Sequence, residues 1–186
     1  MTRRQIVVLV LLAMIWGASF LFIKLALREV SPLMIAAVRV ALAAAFLAAV
    51  SGFPRQGGLS TNFKPALWRS YGVMAVFNAL IPYILIAWGE QRISSGLAAI
   101  FNATTPLFAF LIGFKLGGRD FRRTLGLTGV AGLVVGILGV GVLVGWASSG
   151  DLLGEAAVVV ASASYAVAGS YARSVFQGQP VLVPAL

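Results

Sequence analysis

The sequence contains no cysteine and no histidine among its 186 residues. The absence of cysteine excludes disulfides, thiolate nucleophiles and thiolate metal sites, and the absence of histidine removes the commonest general base and metal ligand. Acids are also scarce, because only five Asp and Glu residues occur, all in predicted loops or at predicted helix ends. We therefore expect no catalytic residues, no metal site and no cofactor, and we do not expect an enzyme.

Apolar residues dominate the composition. Hydrophobic residues make up 60% of the chain and charged residues only 10%, against about a quarter charged in ordinary globular domains. Six apolar stretches run from Ile6 to Leu27, Pro32 to Val50, Leu67 to Trp88, Gly96 to Phe114, Leu125 to Trp146, and Ala156 to Ala172. Each can cross, or nearly cross, a hydrocarbon core of about 30 Å. The sequence predicts an all-α, polytopic integral membrane protein whose surrounding partner is the lipid bilayer.

Basic residues in the predicted loops alternate between the two sides of the membrane. Arg3 and Arg4 precede the first span, and Arg55, Lys64 and Arg69 flank the second loop, whereas the intervening loops have little net charge. Because Lys and Arg in short loops stay cytoplasmic, we expect a multi-pass protein of the cell inner membrane with a cytoplasmic N-terminus. The net charge of +9 then reflects topology, and we expect no nucleic-acid partner.

Polar residues and prolines interrupt the third and fourth spans. Asn78 precedes Pro82 by four residues, and Asn102 precedes Pro106 by the same spacing. A proline leaves the carbonyl of residue i−4 without its helical donor, so each pair frees a backbone acceptor at an asparagine. We expect two polar kinks inside the bundle, which either line a cavity or are simply packed. The hydroxyl of Thr105 has the alternative of bonding back to its own helix.

Three long side chains stand out by their predicted depth. Arg39 is the only ionisable residue well inside a span, and it is expected to meet an anionic substrate group, to reach the outer headgroups, or to pair with Glu90. Trp16 lies near the predicted midplane, whereas tryptophans usually lie at the interfaces. Lys24, one turn from the outer end of the first span, is expected to reach the headgroups.

The sixth span repeats features of the first. At one common offset Trp16 falls on Tyr165, and Lys24 falls on Arg173. Five spans per repeat is an odd number, so the second repeat would be inserted upside down relative to the first. Inverted repeats are typical of alternating-access transporters, whose binding site lies near the midplane between the halves.

Three segments in the first, second and fourth spans combine into a recognisable pattern. They are residues 16–24 (WGASFLFIK), 37–39 (AVR) and 95–107 (SGLAAIFNATTPL). Together they resemble the EamA-type repeat of the drug/metabolite transporter superfamily. The resemblance implies ten helices in two inverted five-helix repeats, and export or exchange of small polar metabolites or amphipathic compounds through a central cavity. It implies a substrate cavity lined by Trp16, Ser19, Arg39, Asn102, Thr105 and Pro106, to which the predicted depth adds Asn78 and Tyr165.

The expected domains are residues 1–147, a first repeat of five helices, and residues 148–186, the start of a second repeat. On this organisation six of ten helices are present. We expect a truncated or incompletely predicted permease whose intact form exports small-molecule substrates by alternating access. One alternative is a half-transporter acting as a homodimer, although the strong basic bias argues against insertion in both orientations. The other is a membrane interaction or assembly protein without transport, which would tolerate Asn102→Leu and Trp16→Leu.

Overall fold

The structure, a computed structural model, describes residues 2–51, 67–116, 118–147 and 150–176. These residues form α1 (Arg3–Ala26), α2 (Pro32–Ser51), α3 (Trp68–Glu90), α4 (Ser95–Asn102), α5 (Thr105–Leu116), α6 (Gly118–Ala147) and α7 (Leu152–Val175). Within that part of the chain, α1, α2, α3, the pair α4–α5, and α7 are each long and apolar enough to cross a membrane. The predicted all-α polytopic fold is confirmed. Arg55, Lys64 and the C-terminal residues 177–186 lie outside the described residues.

Side-chain caps define where several helices begin. At the start of α1, the Thr2 hydroxyl accepts from the backbone N–H of Gln5, and the Gln5 side chain accepts from the Thr2 N–H at 2.8 Å. The Ser31 hydroxyl caps α2. Such caps satisfy helix N–H groups that have no partner within the helix.

The N-cap of α7 explains why this helix begins four residues before its predicted start. The Asp151 carboxylate accepts from the backbone N–H of Gly154 at 2.9 Å, and it lies 3.4 Å from the Arg92 guanidinium. The Gly154 N–H lowers the pKa of the Asp151 carboxyl, and the positive charge of Arg92 adds to that effect. A cap of this kind is decided by one polar residue, which an apolar stretch does not reveal.

Helix α7 lies at the centre of the bundle, where it packs against α3, α4 and α5. Small residues on it, including Ala161 and Ser162, are fully buried. By contrast, α1 and α2 expose large apolar side chains such as Ile15 and Phe46. On a membrane helix, such a face meets lipid or further protein.

Two glycines allow α3 and α7 to approach closely. A Cβ atom added at Gly89 would lie 2.8 Å from Cγ2 of Val158 and 2.9 Å from the backbone oxygen of Gly154. A Cβ added at Gly154 would lie 2.8 Å from Cβ of Arg92. All three distances are too short for a contact with a carbon atom, so this crossing requires glycine in both helices.

Replacement of Gly89 by alanine should therefore destabilise the protein by about 1–3 kcal/mol, because the backbones of α3 and α7 must separate. Thermal unfolding in detergent measures this effect. Gly72→Ala is the matched control, since a Cβ there has nothing within 4 Å and alanine is the better helix former. Equal unfolding temperatures for the two variants would contradict the proposed close contact.

The middle of α3 is a π-helix rather than an α-helix. It covers Ala75–Leu80, and the N–H of Ile81 bonds to the carbonyl of Val76, five residues back. In this register Pro82 lacks the N–H that would reach Phe77. The carbonyl that needs a donor is thus that of Phe77, and the prediction that Pro82 frees the carbonyl of Asn78 is wrong.

The second proline follows a two-residue turn, Ala103 and Thr104, between α4 and α5. The hydroxyl of Thr104 donates to the carbonyl of Phe101 at 2.6 Å, and that of Thr105 donates to the carbonyl of Asn102 at 2.8 Å. Asn102 is the residue whose carbonyl Pro106 leaves without a helical donor. The predicted single fourth span is therefore two helices, and Thr105 bonds back to its own chain.

Two serines of α7 lie within hydrogen-bond distance of carbonyls at the two interruptions. Ser164 donates to the carbonyl of Phe77 at 2.8 Å, and the hydroxyl of Ser162 lies 3.2 Å from the carbonyl of Phe101. The Ser162 hydroxyl also lies 2.9 Å from the carbonyl of Val158 in its own helix. The Ser164 bond supplies from a neighbouring helix the donor that the proline removes.

Replacement of Ser164 by alanine should cost about 1 kcal/mol, because the Phe77 carbonyl then has no donor in an apolar environment. Ser174→Ala is the control: that serine is exposed and donates only within α7. Unfolding in detergent reports both values. In a Pro82→Ala background, which restores a backbone N–H, the cost of Ser164→Ala should shrink. An undiminished cost there would contradict this role for Ser164.

Candidate substrate cavity

A cavity of about 340 Å³ lies between α1, α2, α3, α4 and α7. It is lined by Leu12, Ile15, Trp16, Ser19, Phe20, Ile23, Arg39, Asn78, Tyr83, Ile86, Asn102 and Tyr165. Six of the predicted substrate-binding residues are among them, namely Trp16, Ser19, Arg39, Asn78, Asn102 and Tyr165. Residues far apart in the sequence thus share one site.

Aromatic rings form one wall of the cavity. The rings of Trp16 on α1 and Tyr165 on α7 make an edge-to-face contact, with centroids 6.3 Å apart and planes inclined by 61°. This geometry is favourable for aromatic pairs. Trp16 remains 51% exposed, so much of its indole surface is open to the cavity or the surrounding bilayer.

Arg39 supplies a positive charge to the same cavity. Its guanidinium carbon lies 4.2 Å from the centroid of the Tyr83 ring, which is a cation–π contact. Among the residues that the structure describes, Arg39 forms no ion pair, so the alternative in which it pairs with Glu90 is not what the structure shows. Stacking on an aromatic ring leaves the N–H groups of a guanidinium able to bind an anion.

The polar groups of the cavity differ in how far their hydrogen bonds are satisfied. Asn102 is 8% exposed, and its side-chain oxygen has no hydrogen-bond partner within the described part of the chain. The Ser19 hydroxyl donates to the carbonyl of Trp16 at 2.6 Å, so it can only accept from a ligand. The side chain of Asn78 is exposed, although it lines the cavity. Both Ser19 and Asn102 can thus accept hydrogen bonds from a bound molecule.

Two predicted substrate-binding residues, Thr105 and Pro106, do not line this cavity. Thr105 uses its hydroxyl on the carbonyl of Asn102, and Pro106 lines a different gap of about 330 Å³ between α5 and α6. The helix is interrupted directly after Asn102, so Thr105 and Pro106 belong to the next helix, and of the three residues only Asn102 lines the cavity. The glycine face of α6, including Gly132 and Gly136, borders that second gap.

Sequence reasoning missed Tyr83 as a cavity residue. The available signal was its place directly after Pro82, at an interruption of the helix. Its partner Arg39 belongs to another helix, so their contact depends on tertiary structure.

The structure also corrects the expected position of Lys24. Its ammonium group does not extend to the headgroups but donates to the backbone carbonyls of Glu90 and of Ile93, the latter at 2.9 Å. These carbonyls belong to the last turn of α3 and the turn that follows it. Lys24 therefore connects the end of α1 to the α3–α4 turn, a role close to that of a C-terminal helix cap.

Polar groups at membrane depth that converge on a cavity, instead of packing against one another, are characteristic of membrane transport proteins. Comparison with known proteins defines the class further. The model of the EamA-like transporter family matches residues 3–145, and the chain belongs to that family. The predicted relationship is confirmed.

Curated relatives agree with this assignment. The chain is 26% identical to a protein named uncharacterized transporter from Archaeoglobus fulgidus, over 90% of this chain and 57% of the relative. It is 25% identical to the uncharacterized transporter YoaV of Bacillus subtilis, over 88% of this chain and 55% of that protein. It is 29% identical to the uncharacterized inner membrane transporter YedA of Escherichia coli, over 86% of this chain and 50% of that protein. The matched region thus covers only 50% to 57% of the length of these relatives. No solved structure matches the chain significantly.

Proposed function

We propose that this chain forms the cavity-bearing part of an inner-membrane permease that exports or exchanges small metabolites by alternating access, with a cytoplasmic N-terminus. The cavity between five helices carries this proposal, because it brings together a cation, amide groups and aromatic rings at membrane depth. Relatives named as transporters support the transport role, and YedA is named as an inner membrane protein.

The cavity residues favour a compact amphipathic substrate. Arg39 complements an anionic group, and the unpartnered oxygen of Asn102 complements a hydrogen-bond donor. Trp16, Tyr165 and Tyr83 offer aromatic surface for an apolar part. A volume of about 340 Å³ is at the small end of ligand sites.

The contact between Trp16 and Tyr165 supports the inverted-repeat organisation. These two residues occupy corresponding positions in the first span and the sixth. Corresponding residues touch each other when they lie near a symmetry axis, as in any two-fold interface. Their edge-to-face contact in the cavity is the arrangement expected if such an axis passes through the binding site.

Replacement of Arg39 by glutamine should reduce transport of probes that carry a carboxylate. We would reconstitute the purified protein in liposomes and compare uptake of phenylpropionate, phenylalanine and phenylethylamine, which differ in their charged groups. Loss of a charge-assisted contact should lower uptake of the probes with a carboxylate by about tenfold to a hundredfold. Arg173→Gln is the control, since Arg173 is exposed at the end of α7.

Equal uptake of all three probes by wild type and Arg39→Gln would contradict the role of Arg39. Trp16→Leu and Asn102→Leu separate transport from an interaction or assembly function. Both variants should impair transport if the cavity binds substrate. Transport that survived both substitutions at the wild-type rate would reject the proposed site.

A further inference from the structure

Glu90, the last residue of α3, is a buried acid outside the cavity lining. Its side chain is 0% exposed, and neither carboxyl oxygen has a hydrogen-bond partner among the described residues. An ionised carboxylate without hydrogen bonds is costly to bury, whereas a protonated carboxyl group loses far less. The surroundings of Glu90 therefore suit the neutral acid better than the anion.

Charged groups approach Glu90 from two of the helices packed around it. Lys24 on α1 and Arg39 on α2 are the cations whose charges act on it. On α7, Gly154 contacts Gly89, and the next residue, Glu155, is also buried.

The remaining charged groups near this end of the bundle already interact with each other. Arg92 pairs with Asp151 at 3.4 Å, and it also lies over the ring of Trp88. Lys24 binds the backbone carbonyl of Glu90 rather than its carboxyl group. The carboxyl oxygens consequently have no charged partner in contact, although two cations are close by.

Glu90 lies on the same face of α3 as two residues that line the cavity. Ile86, one turn earlier, and Tyr83, two turns earlier, both line the cavity. On α1, the cavity residue Ile23 immediately precedes Lys24, whose ammonium group connects α1 to the α3–α4 turn. Glu90 and Lys24 thus lie together at the end of the cavity where α1 terminates.

We propose that Glu90 is a proton-binding site whose protonation state controls the opening of this end of the cavity. When the carboxyl group carries its proton, Lys24 stays on the two backbone carbonyls and holds α1 against the α3–α4 turn. When the proton leaves to water, the carboxylate needs a donor, and the Lys24 ammonium, already bound to the backbone carbonyl of the same residue, supplies one. When the Lys24 ammonium moves to the carboxylate, it releases the carbonyl of Ile93, and α1 is then free to move. The carboxylate takes a proton back from water before this end of the cavity closes again. The only covalent bond that breaks and re-forms is the O–H bond of Glu90.

A proton fits this site better than a metal cation. No cluster of three acids that could hold a metal occurs in the described ranges 2–51, 67–116, 118–147 and 150–176. A single carboxyl group offers two oxygens, whereas Ca²⁺ takes about six to eight oxygen ligands and Mg²⁺ demands octahedral coordination. The inference rests on the proposed transport function for its role, but the proton site itself can be tested without transport.

Infrared spectroscopy of the purified protein in lipid nanodiscs tests proton binding directly. Wild type at neutral pH should show the carbonyl band of a protonated carboxylic acid. Glu90→Gln, which preserves the shape of the side chain, should remove that band. Glu29→Gln should retain it, because Glu29 is exposed. Because Glu155 is also buried, only the intensity lost on substitution is assigned to Glu90. Absence of the band in wild type, or a band of unchanged intensity in Glu90→Gln, would show an ionised, purely structural Glu90 and overturn the proposal.

Labelling of a single cysteine tests the coupling to opening. The chain contains no cysteine, so Ser19→Cys provides one reactive thiol in the cavity. We would measure its labelling rate with a membrane-impermeant maleimide and correct for thiol ionisation with a cysteine placed at exposed Glu29. The corrected rate should rise with pH. The rise should reach at most about tenfold per pH unit, because one proton is released. The rise should disappear in the Glu90→Gln background, and an unchanged pH profile there would refute the coupling.

These results separate the two proposals. Proton binding and pH-dependent labelling without transport of any probe would contradict the proposed function and leave the proton site standing. Transport that depends on Arg39, with no protonated carboxyl band, would contradict the proton site and leave the function standing.

Discussion

Lipid offers no hydrogen bonds to a polypeptide backbone, and this constraint governs how the interruptions of the helices are built. Pro82 and Pro106 each remove a backbone donor at membrane depth. The chain replaces these donors with hydroxyl groups: Ser164 serves the carbonyl of Phe77, and Thr105 serves that of Asn102. Each of these hydroxyl groups satisfies a carbonyl and also holds the residue next to it in position.

The consequence for the site is that α7 is tied to the irregular part of α3 by a hydrogen bond, not only by apolar packing. Tyr165 directly follows Ser164, so the bond that satisfies Phe77 also places the Tyr165 ring beside Trp16. At the other end of the same two helices, Gly89 and Gly154 bring the backbones together. A motion of α7 relative to α3 must therefore break a hydrogen bond whose loss lipid cannot compensate, which favours discrete positions over a continuous slide.

The hydrophobic runs were sufficient to predict five of the six spans, because a helix that crosses a bilayer must be apolar over its whole length. For the predicted fifth span, from Leu125 to Trp146, the described residues give a shorter apolar helix, Gly129–Gly145. The sequence also identified Trp16, Arg39 and Asn102, which are unusual at their predicted depth, and the structure brings all three to one cavity. It did not reveal the π-helical register of Ala75–Leu80, which moves the unpaired carbonyl by one residue. The contacts of Lys24 with α3 and of Arg39 with Tyr83 could not be predicted from the sequence either, since both depend on which helices are neighbours.

The charges around the cavity connect the two proposals physically. Arg39 borders the cavity and also acts electrostatically on Glu90. With Glu90 neutral, the positive charge of Arg39 is available to an anionic ligand. With Glu90 ionised, the same charge is partly offset, and the ligand meets an additional negative group. Proton binding at Glu90 and anion binding at Arg39 should then strengthen each other by the same factor, because a coupling free energy between two sites is reciprocal. On this view an acid that never touches the substrate sets how strongly the cavity holds it.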